Sequence, residues 1–154
     1  MLAYLSLGSN LGDRVRWLRL GVEEVAESDV HRTSSVYETE PIGGPVQGPF
    51  LNLVVELVTT ALPRELLERC HRAETAAGRV RGVRSGPRTL DADVLLVGDL
   101  TVADDDLEVP HPRMYERRFV LQPLRELAPG LVDADVLKGA VGEVTRIGTL
   151  DEFR

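Results

Sequence analysis

Apolar residues recur along the first hundred positions with two different periods, and the order in which those periods alternate leaves few folds open. Residues 2–7 form a short aliphatic run closed by the turn-forming Gly8, Ser9 and Asn10, the pattern of a buried strand. From 13 to 27, Val15, Leu18, Val22 and Val25 step by three and four, which predicts an amphipathic helix with Asp13 at its positive end. Residues 30–38 and 51–60 read as the second and third strands, the latter with Leu53, Val55 and Leu57 on one face. Pro63 suits the first turn of a second helix reaching 77, with Leu66, Cys70, Ala73 and Ala77 inward and Gly78 as its stop.

Residues 90–97 add a strand that completes a split β-α-β unit. The expected fold is therefore α+β: a ferredoxin-like βαββαβ core, a mainly antiparallel sheet with helices packed on it, and a C-terminal extension. In that extension a short strand at 100–102, an extended Val109-Pro110 step and a helix over 118–127, stopped by Pro129-Gly130, are expected. Residues 39–49, TEPIGGPVQGP, hold three prolines and three glycines, too irregular for a hairpin and a candidate lid or substrate wall. No repeat or linker interrupts the pattern, so 1–154 is expected to be a single domain.

A net charge of -7, from 25 acidic and 18 basic residues, weighs against nucleic acid or anionic lipid as a partner. Three Phe, three Tyr and one Trp are also too few for an RNA-stacking sheet. The single Cys70 can form no internal disulfide, and no run of about 18 apolar residues or basic leader occurs, so a soluble cytoplasmic protein without membrane association is expected. Arginine is nonetheless concentrated twice, at Arg79, Arg81, Arg84 and Arg88 and at Arg113, Arg117 and Arg118. Guanidinium forks match phosphate oxygens, so each group is either an anion site or a solvated loop.

Residues 86–93, GPRTLDAD, carry the chemistry. On a strand, Asp91, Asp93 and Leu95 share one face, and Leu90, Ala92, Val94 and Leu96 the other. The aspartate α-carbons then lie about 6.5–7 Å apart, a spacing at which oxygen ligands can share two hard cations. Magnesium suits such a pair, because it keeps several waters and takes its other ligands from substrate phosphates. The alternative is an exposed edge where repeated charge blunts aggregation, although the run from Val94 to Val97 argues for a covered strand. His111, between Pro110 and Pro112, is either a turn residue or a fixed ring able to donate to phosphate.

With GSNLG at 8–12, GPRTLDAD at 86–93 and VPHPRM at 109–114 before RRFVLQPL, the chain resembles the 6-hydroxymethyl-7,8-dihydropterin pyrophosphokinases of folate biosynthesis from residue 2 to about 132. The resemblance implies transfer of pyrophosphate from ATP to the pterin hydroxymethyl group with release of AMP, and two magnesium ions bound by Asp91 and Asp93. It implies a catalytic set of Arg79, Arg81, Arg88, Asp91 and Asp93, and nucleotide contacts from Glu74, Arg79, Arg81, Arg88, His111, Arg113 and Arg117. Thr39, Pro41, Ile42, Phe50, Asn52 and Phe119 would hold the pterin. Phe50 and Phe119 would stack on its faces, unless they are core, and Asn52 would read its edge. No general base stands out, so metal-assisted positioning in a monomer acting on small molecules is expected.

Three positions depart from the family pattern. Ala92 replaces a branched aliphatic residue, 82–85 lacks the large side chain often found before Gly86, and Phe50 stands where tyrosine is also common. Rival readings are a non-catalytic ferredoxin-like binding module and a metal-dependent nucleotidyltransferase.

Overall fold

The computed structural model describes residues 1–40, 48–78 and 89–153. Along the chain lie β1 (Leu2–Ser9), α1 (Arg14–Ala26), β2 (Val30–Thr33), β3 (Val36–Thr39), β4 (Phe50–Val58), α2 (Pro63–Ala76), β5 (Asp91–Val97), β6 (Val102–Ala103) and β7 (Glu108–Val109). There follow α3 (Arg118–Leu127), α4 (Ala134–Gly139) and β8 (Val144–Gly148). The main sheet runs β5-β1-β4-β3-β8 with β2 also on β4, and every pairing is antiparallel. This is the order of a ferredoxin-like core, with β2 and β3 together taking one strand's place beside β4.

The side-chain alternation expected of β4 sorts the two faces. Leu51, Leu53, Val55 and Leu57 join Leu5 and Leu7 of β1 against Leu18, Val22 and Val25 of α1 and Leu66, Cys70 and Ala73 of α2. On the opposite face Tyr4, Val54 and Leu95 pack against Val120, Leu121 and Leu124 of α3 and Leu137 of α4. The sheet is thus covered on both sides. The helix signals work as expected: the Asp13 carboxylate accepts the Arg16 amide at the start of α1, and Gly78 follows α2 at φ +68°.

Several elements differ from the expectation. Gly8 and Ser9 do not form a turn; they extend β1, because β4 pairs with both of them through Asn52 and Leu51. The strand expected over 30–38 is two strands. Ser34 breaks it, its hydroxyl accepting the Val54 amide and donating to the Ser35 carbonyl, so that a side chain replaces a ladder bond. In β5 an irregularity opposite Tyr4 and Leu5 turns both Leu95 and Leu96 toward the α3 side, which overturns the placement of Leu96 with Ala92 and Val94. The strand expected at 100–102 is displaced to Val102–Ala103 and pairs with β7. Beyond residue 132, α4 and β8 were not expected at all.

Two ion pairs, each with one buried partner, tie elements together. Arg69, 8% exposed, donates to Asp29 at 2.8 Å and to the Val25 carbonyl at 3.0 Å, joining α2 to the end of α1. Glu56 accepts from Arg32 at 2.9 and 3.0 Å and from the Tyr4 hydroxyl at 2.7 Å. The partner guanidinium holds each carboxyl below its ordinary value, 3.8 for Asp29 and 4.5 for Glu56. A depressed folded-state pKa makes the unfolded chain take up protons first on acidification. The stabilisation is therefore complete above the ordinary values and is lost as pH falls through the folded ones. Thermal midpoints should drop between about pH 5 and pH 3, and a double variant, Asp29→Asn with Glu56→Gln, should start lower at neutral pH but show a shallower acid-side decline.

Candidate active site

Register gathers several of the candidate residues on the α3 face at one end of the sheet. Gly8 of β1 pairs with Asn52 on one side and Asp91 on the other, and Ser6, next on the same face, pairs with Asp93. Thr39 lies across from Phe50, and its hydroxyl accepts from Asn52 Nδ2 at 2.7 Å. Pairing thus brings Thr39, Phe50, Asn52, Asp91 and Asp93 onto one surface, the aspartates half-buried and Asn52 and Thr39 buried.

Gly8 is the residue that sequence reasoning passed over. A Cβ there would stand 2.5 Å from Asn52 Oδ1 and 3.5 Å from the Phe50 ring, so the missing side chain is what lets the amide lie over β1. The available signal was a glycine ending an otherwise aliphatic strand, which marks close approach of another group.

The segment after β7 crosses above this surface. The His111 amide donates to the Leu95 carbonyl of β5 at 3.0 Å, fixing the Pro110–Pro112 corner to the strand that carries the aspartates. His111 Nδ1 accepts the Arg113 amide at 3.2 Å, so the neutral ring carries its proton on Nε2. Burial first, then the Arg117 charge, pushes the ring's pKa below its ordinary 6.5. The Arg117 guanidinium lies 5.6 Å from the centre of the Phe119 ring, a cation–π contact at the start of α3. Phe119 is half-buried against the Tyr4, Val54 and Leu95 cluster, while Arg113 is exposed.

Glu74 is placed differently from the other residues expected at the nucleotide. It is 6% exposed, and its carboxylate accepts the amide of Ala92, between the two aspartates, at 3.1 Å. Cys70, one turn earlier, is fully buried. Desolvation first, then Asp93, Glu74 and Asp91, raise its thiol pKa well above the ordinary value, which leaves it unreactive as a nucleophile. Pro41, Ile42, Arg79, Arg81 and Arg88, with the 82–85 stretch, lie outside the described residues. The C-terminal end of the 39–49 segment is anchored: Asn10 donates to the Gly48 carbonyl at 3.2 Å and Arg14 to that of Pro49 at 3.0 Å.

Asp91 and Asp93 offer hard oxygen donors from one strand face, a set that fits magnesium. Among the described residues no three His, Cys, Asp or Glu side chains gather into a ready-made cage, so further ligands would come from water and substrate. Among the same residues no helix is long and apolar enough to cross a membrane.

A family model described as 7,8-dihydro-6-hydroxymethylpterin-pyrophosphokinase (HPPK) matches residues 4–129. The chain belongs to the HPPK family. It is 49% identical over 129 residues to the 2-amino-4-hydroxy-6-hydroxymethyldihydropteridine pyrophosphokinase of Bacillus subtilis (strain 168), covering 82% of this chain and 77% of that one. The enzyme of the same name from Aquifex aeolicus (strain VF5) is 38% identical over 130 residues, 84% of this chain and 81% of its own. Among solved structures, Plasmodium falciparum HPPK-DHPS with SDX-DHP superimposes with a TM-score of 0.57 at 17% identity, over 90% of this chain and 42% of that longer one, a likeness of fold. The HPPK match ends where α3 ends, so α4 and β8 lie beyond it.

Two outcomes test this HPPK geometry. Gly8→Ala should cost about 1–3 kcal/mol in denaturant unfolding by overpacking against Asn52, whereas Gly139→Ala, with open space around its Cβ, should be close to neutral. In an NMR titration the His111 ring should protonate below pH 6.5, and Arg117→Ala should move its midpoint upward by removing the neighbouring cation.

Proposed function

We propose that Asp91 and Asp93 hold two magnesium ions against the phosphates of ATP while Asn52, Thr39, Phe50 and Phe119 hold the pterin beside them. The activity follows from the family: the chain transfers pyrophosphate from ATP to the hydroxymethyl group of 6-hydroxymethyl-7,8-dihydropterin, releasing AMP, in folate synthesis. The observation that supports the site reading is the shared row of Asn52, Gly8 and Asp91, an amide and a carboxylate that flank β1 on the same face.

In this reading the Thr39 hydroxyl engages one Asn52 N–H, leaving Oδ1 and the other N–H to meet the pterin edge. Pro41 and Ile42 complete the wall by backbone and apolar contact. The Phe50 and Phe119 rings sandwich the flat heterocycle, and both sit at element ends where a face can stay open. On the phosphate side the His111 ring, neutral at pH 7 with its proton on Nε2, donates one hydrogen bond without adding charge. Arg79, Arg81, Arg88, Arg113 and Arg117 supply guanidinium donors for the oxygens that gain charge, and Glu74 acts on the nucleotide site from behind it, its buried carboxylate holding the Ala92 amide between the two aspartates.

The ions, when bound, would neutralise phosphate oxygens and draw them into line. The pterin hydroxyl oxygen forms the bond to the β-phosphorus, the bond from that phosphorus to the α–β bridging oxygen breaks, and AMP leaves while the hydroxyl proton passes to solvent. Among the described residues no side chain stands out to take that proton, and the protein's work in this reading is placement and charge compensation. We extend the same reading to residues 1–154 as a single monomeric pyrophosphokinase domain in the cytoplasm.

Nucleotide product analysis tests this. MgATP with 6-hydroxymethyl-7,8-dihydropterin should give pterin-dependent AMP, and Asp93→Ala should lower the rate more than about ten-fold while leaving the thermal midpoint intact. Release of pyrophosphate would indicate nucleotidyl transfer instead. An Asp93→Ala enzyme that keeps its rate would remove the metal assignment.

A further inference from the structure

We propose that the C-terminal segment 144–153, beyond the matched family region, positions the pterin end of the pocket. The proposal rests on the reading of Thr39 and Asn52 as pterin-side residues. Its starting point is β3, which is only four residues long. β4 pairs with Tyr37, Glu38 and Thr39, and β8 pairs with these three and with Val36 as well, Thr39 lying opposite Val144. Without β8, β3 would be a free edge secured along one side. Thr39 ends that strand and orients the Asn52 amide, so looseness in β3 passes directly to the group that reads the heterocycle.

Side chains carry the same coupling to α3. Arg146 of β8 donates to Ser35 Oγ at 2.8 Å, and the Ser35 amide and hydroxyl donate to Glu126 of α3 at 2.9 and 3.1 Å. The Tyr37 hydroxyl donates to the same carboxylate at 2.7 Å. Two turns before Glu126 on that helix is Phe119. The network therefore fixes the stacking ring relative to the Asn52 amide, a separation that matters to a flat ligand held between them.

The segment is itself stapled to the core. Leu150 and Phe153 pack against the α1-side cluster, and Arg19 donates to the carbonyls of both, that of Leu150 at 2.7 Å. The turn between strand and staple needs Gly148, whose φ is +132° and whose Cβ would meet Glu152 Oε2 at 2.8 Å. β8 is thus held at both of its ends, by its partner strand and by this turn.

The test is steady-state kinetics of full-length Arg146→Ala and Gly148→Ala, with direct titration of pterin and of a non-hydrolysable ATP analogue. The expected result is a pterin KM raised about five-fold or more with the ATP KM changed less than about two-fold, and Arg146→Lys recovering most of the loss. An unchanged pterin KM, or equal rises for both substrates, would overturn the proposal. Asn52→Ala separates the two layers of argument. If it too leaves pterin binding unchanged, the pocket reading has failed; if it weakens pterin binding while the tail variants do not, only the positioning role has failed.

Discussion

β1 is hydrogen-bonded along both edges, to β4 through all eight of its residues and to β5 through six, and the rest of the molecule is arranged by those two ladders. Antiparallel pairing fixes register to the residue, and a slip of one would exchange the two faces of a strand. That precision is what sets Asn52 and Asp91, distant in sequence, on either side of Gly8. The site is a property of backbone pairing before it is a property of any side chain.

The two sheet faces divide the labour. The α1 and α2 face is aliphatic and sealed, whereas the α3 face mixes a hydrophobic patch with Tyr4, Glu56, Tyr37 and Glu126. Polar groups can be buried there because each meets a specific partner, and such partners also restrict how α3 can sit. The same partners fix where α3 carries Phe119 over the sheet.

Much of this could be read from residues alone. The helix over 118–127, Pro63 and Gly78 at the ends of α2, the alternation in β4 and the sharing of a face by Asp91 and Asp93 all follow from local periodicity and turn chemistry. What stayed hidden depends on partners far along the chain. The Ser34 break answers to Val54, the extension of β1 through Gly8 answers to Asn52, and Leu96 changed face because β5 meets β1 irregularly. β8 is a short, mostly exposed strand that forms on the open flank of β3, a partner more than a hundred residues earlier, and nothing in Val144–Gly148 announces it. The candidate aspartates stood out as a motif, while the contact between Gly8 and Asn52 depends on a partner strand more than forty residues away.

Glu74 accepts the Ala92 amide, and β5 is the outermost strand of the main sheet on its side. An outermost strand with an unclaimed amide invites a strand from another molecule to add to it. Here that amide is already taken by a buried carboxylate from the molecule's own helix, between two further acidic residues. At that point of the border no amide is left for an incoming strand, and three positions further on the Leu95 carbonyl is likewise taken by the His111 amide, so an added strand would find the ladder interrupted beside the aspartates.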